Sequence, residues 1–128
     1  MNTRSLLIVS ALAELGVGVA LLLAPSWTSV LLLGAELGSP ASVMVGRVAG
    51  AALLSIGLNC WIERNRANSN PPVGLVTGLA TYNAIVAALL GYAAVVDKMN
   101  GIGIWPATAL HVVLLMWCIA SLRSRQDS

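Results

Sequence analysis

Residues 5–24 constrain what this chain can become. They form an almost unbroken apolar run, about the 20 residues an α-helix needs to cross roughly 30 Å of hydrocarbon. Near the middle stands one carboxylate, Glu14. A charge at that depth costs roughly 2.5–3.5 kcal/mol on insertion scales. The remainder of the chain must therefore supply something that holds it. The run is longer than the apolar region of a signal peptide and carries Glu14, so residues 1–24 read as a retained span.

Of the 128 residues, 58% are hydrophobic and only 9% charged, whereas charged residues make up about 25% of a soluble domain. The chain reads as one all-α membrane domain covering residues 1–128. A formal net charge of +2 is too small to suggest a nucleic-acid partner. Phe is absent, and the small and aliphatic residues that replace it suit close helix packing in lipid. Cys60 and Cys118 form no C-x-x-C pair, which argues against a thiol-oxidase or a quinone-linked disulfide enzyme and leaves no zinc site. Both fall near the end of a span that faces the reducing side, so they read as small apolar fillers. No catalytic set, metal site or cofactor motif emerges.

Proline and glycine divide the rest. Ala24-Pro25-Ser26 stops the first helix. Residues 27–37 are too short to span, and Trp27, Leu31, Gly34 and Gly38 recur at helical spacing, which predicts a short helix at the membrane interface. Ser39 can cap the next helix with Pro40 at its first position. The second span covers about 42–62 and holds Gly46-x-x-x-Gly50. The third, about 73–96, follows Asn70-Pro71-Pro72 and holds Gly74-x-x-x-Gly78. The fourth covers about 104–122. Both glycine pairs predict close approach of a neighbouring backbone.

Basic residues near the span ends set the orientation. Arg4, Arg64, Arg66, Arg123 and Arg125 fall on one side, and Lys98 alone on the other. The positive-inside bias places both termini in the cytoplasm. Trp27 and Trp105 then mark the outer interface, with Trp61 and Trp117 near the inner one.

At about 1.5 Å per residue, Glu14, Asn83 and His111 come to similar depth. Tyr82 flanks Asn83, Thr108 lies one turn from His111, and Arg47 lies in the outer third of its span. Each would be unsatisfied against lipid, so they are expected to converge inside the bundle. Ala11 and Gly18, at i−3 and i+4 from Glu14, leave room there for a neighbouring helix. The expected partners of Glu14 are His111 and Asn83. Arg47 either pairs with Glu14 or snorkels to the surface. His111 is the chain's single histidine, which rules out a multi-histidine metal or haem site within one chain.

Leu15-Gly-Val-Gly-Val-Ala-Leu-Leu-Leu-Ala-Pro25, the following Leu-Leu-Gly-Ala, and Gly46-Arg-Val-Ala-Gly-Ala-Ala-Leu-Leu-Ser-Ile-Gly57 resemble small bacterial four-helix proteins of the broad DoxX-like type. A histidine in the last span is similar too. The resemblance implies a four-span protein of the bacterial inner membrane, in a group where some relatives are regarded as quinone-linked oxidoreductase subunits. The small multidrug resistance family also places a glutamate centrally in the first of four helices, where it alternately binds a proton and a cationic drug. This chain lacks a tryptophan in the middle of its third span, and its charge bias opposes the dual topology of that family.

These observations favour a non-catalytic membrane protein with a buried polar cluster of Glu14, Arg47, Tyr82, Asn83 and His111. Membrane lipid is the implied partner, with a quinone-like or other small apolar molecule as the ligand the cluster can take. A proton-coupled transporter using Glu14 is the alternative. Another is an accessory subunit, docked through the glycine faces to copies of itself or to a larger membrane complex.

Overall fold

The first helix runs until the backbone at Ala24 leaves the helical region, with φ −140°. Pro25 then starts a new helix in its first turn, where a missing N–H costs nothing. The computed structural model describes residues 2–67, 70 and 72–124. Pro71 and Arg125, used above for a boundary and for orientation, lie outside them. Five helices result: α1 (Thr3–Leu23), α2 (Pro25–Leu33), α3 (Pro40–Glu63), α4 (Val73–Val95) and α5 (Ile104–Arg123). All but α2 are long and apolar enough to cross a membrane, so the chain is an all-α, multi-pass membrane bundle with one short helix.

The short helix begins and ends earlier than the expected 27–37. Pro25 is its first residue, and Gly34 stops it at φ 79°. That left-handed conformation favours glycine. A side chain at Gly34 would also strike Asn100 Oδ1, 2.8 Å from an added Cβ. The turn between α4 and α5 thus lies directly against α2, and the Gly103 N–H donates to the Leu31 carbonyl at 2.8 Å. Ser39 caps α3 as expected, in a reciprocal box with Ser42, and Pro40 sits in the first turn.

Packing divides the spans into two pairs. α1 lies along α3, α4 lies along α5, and much less joins one pair to the other. Between α1 and α3 backbone touches backbone: a Cβ on Gly18 would stand 2.9 Å from the Gly50 carbonyl oxygen, and one on Gly50 2.8 Å from that of Gly18. Gly46 packs instead on Pro25 and Leu37. The Gly74-x-x-x-Gly78 pair does not behave as expected, because no atom lies within 4 Å of an added Cβ at either position. Both are exposed on α4.

The dry core occupies the half of the bundle nearest the termini. Leu6, Leu7 and Ala11 of α1 meet Cys60, Ala67, Val76, Leu79, Leu114 and Cys118 there. The two cysteines are buried and free, as apolar fillers should be. Trp27 and Trp105 are exposed toward the α2 end, and Trp61 is exposed near the other end with the Arg64 guanidinium 3.8 Å over its ring. Trp117 departs from the anchor pattern: its indole N–H is enclosed with no partner among the described residues. It belongs to the packed wall of α5.

Candidate functional site

Along α1 the buried positions are Thr3, Leu6, Leu7, Ser10, Ala11, Glu14 and Gly18. That is one face of a helix at i, i+3, i+4 and i+7, and it carries Glu14 inward. Glu14 is 3% exposed. Its Oε2 accepts a hydrogen bond from the Tyr82 hydroxyl at 3.1 Å, linking α1 to α4. The expected partners, Asn83 and His111, bond to each other instead, at 2.7 Å between Asn83 Oδ1 and His111 Nδ1. Consecutive residues on a helix point about 100° apart. Tyr82 therefore faces α1 while Asn83 faces α5, and only the longer tyrosine reaches across the gap between the pairs.

The two links touch. The Tyr82 and His111 rings meet edge to face, with centroids 5.6 Å apart and planes at 78°. Asn83 is fully buried, and its amide nitrogen donates to the Leu79 carbonyl one turn back at 2.7 Å. Thr108 stays on its own helix, donating to the Ile104 carbonyl. Glu14, Tyr82, His111 and Asn83 thus form a polar line from α1 through α4 to α5, in a region otherwise walled by hydrocarbon.

Arg47 is not part of it. Gly46 and Gly50 turn toward α2 and α1, which rotates the intervening Arg47 onto the exposed side of α3. No ion pair joins it to Glu14 among the described residues. Of the two expectations for this residue, the pair with Glu14 is ruled out.

Beside the line lies a cavity of about 300 Å³ between the two helix pairs, walled by residues that include Leu21, Leu31, Leu53, Val86, Tyr82 and His111. Thr28 of α2 contributes to the wall as well. A second space of about 360 Å³ shares Leu21, Thr28 and Leu32 with the first and continues between α1, α2 and α3. On its other flank Tyr82 borders a groove of about 290 Å³ beside Ile56, Gly74 and Gly78. The aliphatic wall and Thr28 escaped sequence reasoning, since an apolar residue facing a cavity and one facing lipid look alike in a sequence. Among the described residues no group of three or more His, Cys, Asp or Glu side chains is placed to hold a metal.

No family model, no curated protein and no solved structure matches this chain.

Proposed function

We propose that the chain is a non-catalytic four-span protein of the bacterial inner membrane, broadly DoxX-like, that holds a small, mainly apolar molecule of lipid or quinone-like kind. The observation that carries this reading is the cavity beside Tyr82 and His111. Small-molecule sites are mostly apolar with a few polar groups fixed by the fold, and about 300 Å³ is the lower end of their size range. Here the polar groups are held by interhelix bonds to Glu14 and Asn83. The adjoining space along α2 gives an apolar tail a route out of the first chamber.

A decyl-tailed hydroquinone carrying a photoactivatable diazirine, whose hydroxyls can both donate and accept, tests the reading in lipid nanodiscs. Labelling should fall on peptides that carry Tyr82 or His111, and Val86→Trp, which fills the cavity, should abolish it. Labelling confined to exposed residues such as Met116 would reject the site.

The basic residues around the ends of α1, α3 and α5 support an orientation with both termini in the cytoplasm. Asn65 is exposed between α3 and α4, while both native cysteines are buried. A cysteine placed at Asn65 should react with an impermeant maleimide only from the cytoplasmic face. Reaction from outside would reverse the assignment.

A further inference from the structure

The cavity wall has a definite hydrogen-bond polarity. The Asn83 amide nitrogen donates to the Leu79 carbonyl, which can only accept, and this fixes which end of the amide is oxygen. That oxygen lies 2.7 Å from His111 Nδ1. An amide oxygen carries no hydrogen, so the bonding hydrogen is on Nδ1. In the neutral imidazole, Nε2 is then a bare acceptor. No described residue bonds to it.

The other polar side chains on the wall are committed in the same sense. The Tyr82 hydroxyl gives its hydrogen to Glu14 Oε2. The Thr28 hydroxyl gives its own to the Ala24 carbonyl at 2.9 Å. Even the Gly103 N–H at the cavity edge is taken up by the Leu31 carbonyl. The wall therefore offers lone pairs and no free hydrogen.

We propose that the occupant of this cavity presents a hydrogen-bond donor, a hydroxyl or phenol at the end of an apolar body, and that His111 Nε2 is the group that selects it. This rests on the ligand-site reading above. A carbonyl or ether oxygen placed against Nε2 would set acceptor against acceptor in a medium without water to relieve it. The Asn83–His111 bond is the selector's support: it acts through the imidazole and sets which nitrogen carries the hydrogen.

The test uses the full chain in nanodiscs with three probes of equal tail length: 4-octylphenol, its methyl ether, and the matching aryl methyl ketone. Affinities are compared at equal mole fraction in lipid, by competition with the photoprobe and by the nitrogen-15 resonances of His111. In the unmodified protein, His111 should show hydrogen on Nδ1, and 4-octylphenol should bind on the order of tenfold more tightly than either analogue while shifting the Nε2 resonance. Asn83→Leu should free the tautomer and shrink that preference to about twofold or less. Equal binding of the ketone or ether to the unmodified chain, or hydrogen found on Nε2, would overturn the donor selectivity while leaving a ligand site in place. Failure of all three probes to protect the cavity from labelling would remove the site itself and the selectivity with it. The probe ranking and the resonances come from the unmodified protein, so the outcome does not depend on whether Asn83→Leu folds.

Discussion

Between α1 and α3, Gly18, Gly50 and Gly57 remove side chains so that backbone and neighbouring aliphatic groups meet directly. Between α4 and α5, the glycines Gly74, Gly78 and Gly91 of α4 face open space, and a hydrogen bond from His111 to Asn83 is added to the buried apolar contact of Val76 and Leu79 with Leu114 and Cys118. Lipid gives apolar helices no hydrophobic reason to associate, so a membrane bundle relies on close van der Waals contact or on interhelix hydrogen bonds. Both pairs bury apolar side chains, and to this the first adds close glycine contact and the second a buried hydrogen bond. The glycine pair has no slack. The polar pair keeps a side chain whose second nitrogen remains available, and the cavity lies along its edge.

The comparison is most severely tested at the glycines. An alanine at Gly50 puts a methyl 2.8 Å from a carbonyl oxygen of α1 and 3.0 Å from Leu21 Cβ and the Leu22 nitrogen. Backbone cannot step aside as a side chain can, so Gly50→Ala should cost about 1–3 kcal/mol, with Gly18→Ala similar. Gly78→Ala meets nothing and should stay within about 0.5 kcal/mol. Reversible unfolding in mixed micelles titrated with SDS, followed by far-ultraviolet circular dichroism, measures both. If Gly78→Ala cost as much as Gly50→Ala, α4 would also rely on close glycine contact, and the contrast would collapse.

Those glycines also show where the sequence was legible and where it was not. The span boundaries could be read because proline, serine and glycine act locally: Pro25 and Pro40 begin helices, and Ser39 caps one. Gly46-x-x-x-Gly50 and Gly74-x-x-x-Gly78 have the same spacing, yet only the first pair meets packed neighbours. Spacing establishes that two small residues share a face; it does not establish what faces them. The same limit separated Tyr82 from Asn83. Depth along the span placed both near Glu14, but the rotation of α4 about its axis decided that tyrosine meets Glu14 and asparagine meets His111. Arg47 shows it again, carried outward by the turn of α3 that aims Gly46 and Gly50 inward.

A smaller effect is expected at the polar pair. Removing Asn83 leaves the His111 N–H facing hydrocarbon, and removing His111 strands the Asn83 oxygen in a fully buried position. Interhelix hydrogen bonds in membranes average about 0.6 kcal/mol and reach about 1.7 kcal/mol. A double-mutant cycle of Asn83→Leu and His111→Leu, read from the same unfolding curves, should therefore give a coupling of about 1 kcal/mol. A coupling near zero would mean that α4 and α5 are held by apolar contact alone, and the second half of the contrast would be lost.

The smallest effect should come from the bond that crosses between the pairs. At 3.1 Å, the contact of the Tyr82 hydroxyl with Glu14 is longer than the usual O–H···O bond. It also joins α1 to α4, which touch far less than the helices of either close-packed pair. Tyr82→Phe should cost about 0.5 kcal/mol, less than the glycine substitutions and less than the Asn83 coupling. Glu14→Gln should cost no more, because the amide keeps an oxygen that accepts from the tyrosine. Glu14→Leu should cost more than either, since it leaves the hydroxyl without its acceptor. The order matters more than the values. If Tyr82→Phe destabilised the bundle as much as Gly50→Ala, the seam would be the main joint, and a cavity beside it would be an unsuitable place for an exchangeable ligand. If Glu14→Gln kept stability but abolished a measured proton flux through proteoliposomes, Glu14 would be titrating in function and the transporter reading would replace the binding one. A bundle that tolerates both changes, and still protects its cavity from the photoprobe with a phenol, has a seam that positions Tyr82 for a ligand and contributes little to holding the pairs together.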